Sequence, residues 1–124
     1  MKDSWPLAKQ ETLVRDSGRC LLCRATDGLD VHHRRARGMG GTSRPAHLRR
    51  SNLVTLCRRC HDRVEAHPEV ARALGYRLDR HQDPEETAVW ASSVLGAGWT
   101  HLWDDGSVAL SPLPAPAPAV SFTA

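Results

Sequence analysis

The sequence predicts a small α+β domain, on three observations. All four cysteines fall in two matching pairs, Cys20-Leu-Leu-Cys23 and Cys57-Arg-Arg-Cys60. The apolar residues form helix-period stretches that alternate with runs of strand length. The 124 residues include only four Trp, one Tyr and one Phe, so the region between the pairs has little apolar bulk for a core. A unit near 60 residues buries only about 60% of its unfolded surface and commonly needs a staple. Two C-x-x-C knuckles place four thiolates round one tetrahedral Zn²⁺. A structural zinc contributes roughly 10–16 kcal/mol to folding in small peptides.

Two disulfides are the alternative use of four cysteines. The opening Met1-Lys2-Asp3-Ser4-Trp5-Pro6 has no apolar core of a signal peptide. A bridge inside each C-x-x-C would also leave the knuckles unconnected, so metal is favoured. No apolar run approaches the ~20 residues of a membrane span. A cytoplasmic protein in a reducing compartment, with no membrane partner, is expected.

Each element has a local cause. Ser4 before Pro6 opens a helix, with Leu7, Leu13 and Val14 as apolar positions and Gly18 as its stop, giving a helix over about 5–17. Cys20–Cys23 is a tight turn, and Gly28–His32 is a short strand whose alternation sends His32 and His33 to opposite sides. An Arg- and Gly-rich loop, 34–50, contains Gly38-Met39-Gly40-Gly41, suited either to close approach to a phosphate chain or to a flexible surface loop. Leu53–Leu56 is a second strand leading into Cys57. A helix follows from Arg59 through Glu65 or Ala66, and a shorter one runs from Pro68 to Leu74, closed by Gly75. Trp99–Trp103 and Val108–Leu110 flank Asp104-Asp-Gly106-Ser107 as a hairpin. Four prolines between 111 and 119 mark an extended or disordered tail. The expected organisation is therefore a first unit at 1–75, with knuckles and core at 18–67 and a short helix at 68–75. A small accessory extension follows at 76–110, and the tail at 111–124.

The net charge of +3 hides an asymmetry. Arg19 to Arg63 holds eleven Arg against three acids, whereas Asp79 to Ala124 holds one Arg against six acids. Fifteen of the seventeen basic residues are Arg, the side chain suited to bidentate phosphate contact. The basic stretch reads as a nucleic-acid footprint, made mostly to the backbone.

His32-His33 lies between the knuckles and His61 follows the second directly. Phosphodiester hydrolysis needs an activated water, charge stabilisation on the phosphate and help for the leaving oxygen; one neutral histidine serves the first need and one divalent ion the other two. The ordered string Cys20-x-x-Cys23, Val31-His32-His33-Arg34, Gly40-Gly41, Asn52–Leu56 and Cys57-x-x-Cys60-His61 resembles the HNH endonuclease family in its zinc-knuckle form. The Val31–Gly41 stretch is similar to small HNH proteins of phages and prophages of actinobacteria. The resemblance covers roughly residues 15–75 and implies a treble-clef-like ββα-metal fold.

It further implies zinc on Cys20, Cys23, Cys57 and Cys60 as structural, because four thiolates leave no open position. His32 and His61 become ligands of a separate ion (Mg²⁺, Mn²⁺, Ni²⁺ or Zn²⁺), His33 the general base, and Asn52 the residue that ties down the loop and keeps the base oriented. Products with 5′-phosphate and 3′-hydroxyl ends are implied too. Glu65, four residues after His61 on the same helix face, stands where many relatives carry a third ligand, or is a solvated helix residue. Candidate DNA contacts are Arg34, Arg35, Arg37, Arg44, Arg58 and Arg59. His67 lies about 240° round the helix from His61 and should point away. His47, His81 and His101 read as surface residues. A monomeric, metal-dependent DNA endonuclease in a bacterial host or prophage setting is the expected function; phage DNA packaging with a terminase, restriction and homing stay open as its role. A zinc-knuckle DNA-binding module without catalysis competes with it, and a protein-interaction role for the acidic C-terminal third is a third reading.

Overall fold

The computed structural model describes residues 4–36, 46–93, 95–111, 118, 120 and 122. The Gly38–Gly41 loop, Arg37, Arg44 and most of the tail lie outside the described residues.

Helix α1 runs Trp5–Arg15, two residues shorter than expected, with Ser4 as N-cap accepting from the Leu7 N–H at 3.3 Å. Ser17, just past the Asp16 cap, takes the positive φ at its exit and Gly18 follows in the same region, returning its N–H to the Leu13 carbonyl. Strands β1 (Leu29–His33) and β2 (Leu53–Cys57) pair antiparallel, from Leu29 opposite Cys57 to His33 opposite Leu53. Short 3₁₀ turns at Ala46–Leu48 and Arg50–Asn52 lead into β2. Helix α2 (Arg58–Ala66) follows β2 without a loop, and Pro68 at its usual first-turn position starts α3 (Pro68–Leu74).

Every residue of β2 is buried, because both faces are covered. Val54 and Leu56 face a main core built from Leu21, Val64, Ala71, Leu74, Tyr76, Val89, Ala91 and Leu102 together with three of the cysteines. Leu53 joins Ala8, Val31 and Leu48 in a second cluster under α1, with Trp5 and Leu13 at its margin. Arg15 anchors α1 to this side by donating to the carbonyls of Arg50 and Leu53, while Asp16 accepts the Thr55 N–H.

The expected hairpin is present as β4 (Gly96–Leu102) and β5 (Val108–Leu110). It belongs to a three-stranded antiparallel sheet with β3 (Val89–Ser93), a strand that sequence reading did not anticipate, at the edge beside β4. The Ser92 N–H donates to the Leu21 carbonyl inside the first knuckle, and the Leu21 N–H donates to Thr55 in β2. The extension thus shares the core of the knuckles. Gly75, at φ +86°, ends α3 so close to the extension that a Cβ there would collide with the Ala88 carbonyl. Among the described residues no helix is long and apolar enough to cross a membrane.

Candidate metal centre and its neighbours

The four thiols converge, their sulfurs all within 4.8 Å of one another and the Cys23 and Cys57 Sγ atoms 3.5 Å apart. A tetrahedron with 2.3 Å zinc–sulfur arms has edges of about 3.8 Å, so the set fits Zn²⁺. All four cysteines are free thiols. Burial pushes the Cys20 and Cys60 thiols up. At Cys57 burial acts the same way but is outweighed by the Cys60 backbone N–H and neighbouring thiols, which bring it down. Four thiolates packed this closely need a cation among them.

A second group brings together His32, His61 and Glu65, with one ligand atom from each lying within 4.8 Å of the others. The alternation of β1 explains half of it. Val31 faces the α1 cluster, while Asp30 and His32 face α2. Helix spacing explains the rest, because His61 and Glu65 are one turn apart beside the buried stripe of Cys60 and Val64. His61 Nε2 lies 3.5 Å from Glu65 Oε1, and His32 Nδ1 lies 3.9 Å from the same oxygen. Nitrogen and oxygen ligands round a tetrahedral ion at 2.0–2.1 Å stand about 3.4 Å apart, so the donor set fits a divalent cation.

Each imidazole is held from behind. His32 Nε2 is 2.7 Å from the Tyr76 carbonyl, which only accepts, so the proton sits on Nε2 and the Nδ1 lone pair faces Glu65. Burial lowers its pKa below the ordinary 6.5, which favours that neutral form. His61 Nδ1 lies 3.5 Å from Asp30 Oδ2, while Asp30 Oδ1 accepts the Val31 N–H. Such outer partners fix the tautomer and orientation of ligating histidines. Asp30 was legible only through the two-residue period that puts it beside His32; Tyr76 carried no signal at all.

His33 stacks on Trp5, with ring centroids 4.9 Å apart and planes 22° from parallel, and the His47 ring is 6.1 Å away. His47 is therefore a half-buried neighbour of His33, a correction to its reading as a surface residue. His33 nevertheless lines, with His32, His61 and Glu65, a cavity of about 300 Å³ that Tyr76 and Arg77 close. Buried Asn52 accepts the Arg35 N–H at 2.7 Å and donates to the Arg35 carbonyl at 3.2 Å, and its own carbonyl takes the Arg34 N–H. It clamps the chain just after the two histidines. His67 caps α2, exposed and outside the ligand group; its ring lies 6.5 Å from Phe122. His81 is exposed, and His101 lies against Trp103.

Arg34 requires a correction. Only 1% exposed, it donates to the carbonyls of Gly75, Ser51, Pro84 and Thr87 at 2.5–3.0 Å, four of its five N–H groups. Burial brings its pKa down to about 10. A guanidinium so committed fastens β1 to the extension and is not available to a phosphate. Arg58 and Arg59 are exposed, Arg58 beside Asp62 at 3.5 Å. Arg35 is half-buried, and among the described residues its Nε has no hydrogen-bond partner. Part of the acidic C-terminal charge is also accounted for internally: Asp83 and Asp104 bind Arg49 at 3.0 and 2.9 Å.

No curated protein and no solved structure matches the chain. The model of one family does, described as HNH endonuclease, over residues 20–67. That span opens at the first thiol of the knuckles and closes just past α2, so it contains both candidate ligand groups, His33 and Asn52. From Cys20 to His67 the chain matches the HNH endonuclease family, and a nuclease-type, metal-dependent, DNA-directed function follows at the level of that family.

Proposed function

We propose that this protein is a DNA endonuclease in which His33 is the general base and His32, His61 and Glu65 hold the divalent ion. The observation that carries the reading is the convergence of those three donors in the cavity that His33 also lines. When bound, the ion supplies charge stabilisation at the scissile phosphate and the leaving 3′ oxygen. His33 takes the proton from the attacking water, leaving 5′-phosphate and 3′-hydroxyl ends. Asn52, by holding both backbone groups of Arg35, keeps the base from swinging away. Two imidazoles and one carboxylate suit Mn²⁺, Ni²⁺ or Zn²⁺ better than Mg²⁺, which prefers an all-oxygen shell. The separate tetrathiolate zinc is structural. Of the arginines that the sequence singles out, Arg35, Arg58 and Arg59 are left for the DNA backbone, with Arg37 and Arg44 beyond the described residues. Partnership with a phage terminase rests on the likeness of Val31–Gly41 to phage proteins, and co-purification of the full chain with that enzyme tests it.

The deciding experiment is nicking of supercoiled plasmid by the zinc-loaded protein with added Mn²⁺, Ni²⁺ or Mg²⁺. Wild-type protein should cleave, and His33→Ala should be slower by roughly 10²–10⁴-fold with zinc content and DNA affinity unchanged. Binding without cleavage under every ion would instead leave a DNA-binding module.

A further inference from the structure

The family match ends at residue 67, yet the cavity is completed by residues 76–78. Tyr76 and Leu78 are held on both sides of Arg77. The Tyr76 carbonyl bonds to His32 Nε2, and the Leu78 N–H donates to the Arg34 carbonyl at 2.8 Å. Both side chains sit in the interior, Tyr76 at 0% and Leu78 at 2% exposure. Arg77 between them stays half-exposed and lines the cavity with His32, His33 and His61.

The charges round this cavity are unbalanced for a phosphodiester. Its acidic wall is Glu65, with Asp30 behind His61. Of the two arginines in the lining, Arg34 is committed to four carbonyls. Arg77 makes no ion pair and no side-chain hydrogen bond among the described residues, and its backbone is fixed at both neighbours. A guanidinium presents a planar fork that matches two phosphate oxygens.

We propose that Arg77 is a further catalytic residue, its guanidinium binding the non-bridging oxygens of the scissile phosphate and stabilising the charge that grows there as water attacks. The inference rests on the endonuclease reading above. It gives that reaction a cationic group from outside the family-matched segment, placed by the same turn that orients His32.

Two measurements test it. In the nicking assay Arg77→Met should lower kcat by roughly 10²–10³-fold, the scale of losing one preorganised donor to developing charge. Zinc content and thermal stability should hold, because the side chain has no hydrogen-bond or ion-pair partner among the described residues. Arg77→Lys should recover only part of the rate, since it keeps the charge and loses the fork. The second measurement needs no turnover. On the His33→Ala background, adding Arg77→Met should flatten the slope of log K against log salt by about 0.9, the share of one phosphate. A wild-type rate in Arg77→Met, or an unchanged slope, overturns the assignment. If wild-type protein fails to nick under every ion, the endonuclease reading fails, and the slope still decides whether Arg77 touches phosphate.

Discussion

The two ligand clusters are built from one β-ladder and differ in what holds them. The thiol cluster draws all four donors from residues 20–60, with Cys57 at the Leu29 end of the β1–β2 pair. It is closed, and three of its four cysteines are buried in the core. The imidazole–carboxylate cluster offers three donors and an open side onto a cavity. One of its histidines is oriented by a carbonyl nine residues beyond the family-matched segment, and the neighbouring Arg34 is bound by four more carbonyls, three of them also beyond it. The contrast separates two tasks. A site that stabilises the fold is encoded where its ligands are, whereas a site meant to react depends on a surrounding layer that sets tautomer, rotamer and access.

The largest break in that comparison comes from removing the closed site. Stripping zinc with a chelator, or changing Cys60→Ser, should unfold the knuckles and β2 and take the second cluster with them. The energy at stake is roughly 10–16 kcal/mol on the scale of small zinc domains, as large as a domain's whole net stability. Metal analysis together with circular dichroism checks it; native dichroism in a zinc-free protein would show that the thiols are not the staple.

Next in size is Arg34→Met. Leaving the carbonyls of Gly75, Ser51, Pro84 and Thr87 without their donor should destabilise the protein by about 3 kcal/mol or more. Urea unfolding with zinc kept saturating measures this. A loss within about 0.5 kcal/mol, the ordinary range of surface changes, would mean that β1 is not fastened to the extension through this side chain.

Glu65→Gln comes third, because it removes a charge while leaving size and helix propensity nearly intact. Mn²⁺ affinity measured by calorimetry should fall by roughly 100-fold with the zinc retained, since a neutral amide is a poorer ligand for a divalent ion. Unchanged affinity would restore Glu65 to an ordinary solvated helix residue.

What could be read in the sequence follows the same division. Motif spacing and short-range periodicity were enough for the knuckles, β1, β2, α2, α3 and the β4–β5 hairpin, because caps, Pro68 and Gly75 mark their limits locally. The four cysteines and the pair His32 and His61 were legible because strand and helix periods bring them together over short stretches, whereas Glu65 reads equally as a third ligand or a solvated helix residue. Arg34 was misread as a DNA contact, since a lone Arg in a basic run looks like solvated charge until four distant carbonyls surround it. Strand β3, the Tyr76 carbonyl and the Trp5 stack on His33 depend on tertiary approach across tens of residues, and no local pattern announces them.

The smallest expected effect tests the outer layer at the one point where a side chain supplies it without lying in the core. Asp30 is partly exposed, with one oxygen on its own strand's Val31 N–H and the other 3.5 Å from His61 Nδ1. Asp30→Asn keeps the volume and an acceptor for the Val31 amide. It removes the negative charge beside Nδ1, which favours a proton on that nitrogen and so a bare Nε2 towards Glu65. Replacing partners of this kind typically weakens metal binding by 10–100-fold, so Mn²⁺ titration of the zinc-loaded protein should show a loss in that range. Thermal stability should barely move, because the pair is solvent-accessible. A companion variant at Asp62, an acid on the same helix as His61 that pairs with Arg58 instead, should leave Mn²⁺ affinity unchanged. Equal losses at Asp30 and Asp62 would reduce the effect to general electrostatics. A loss confined to Asp30 would place the orientation of His61 in the strand that also carries His32.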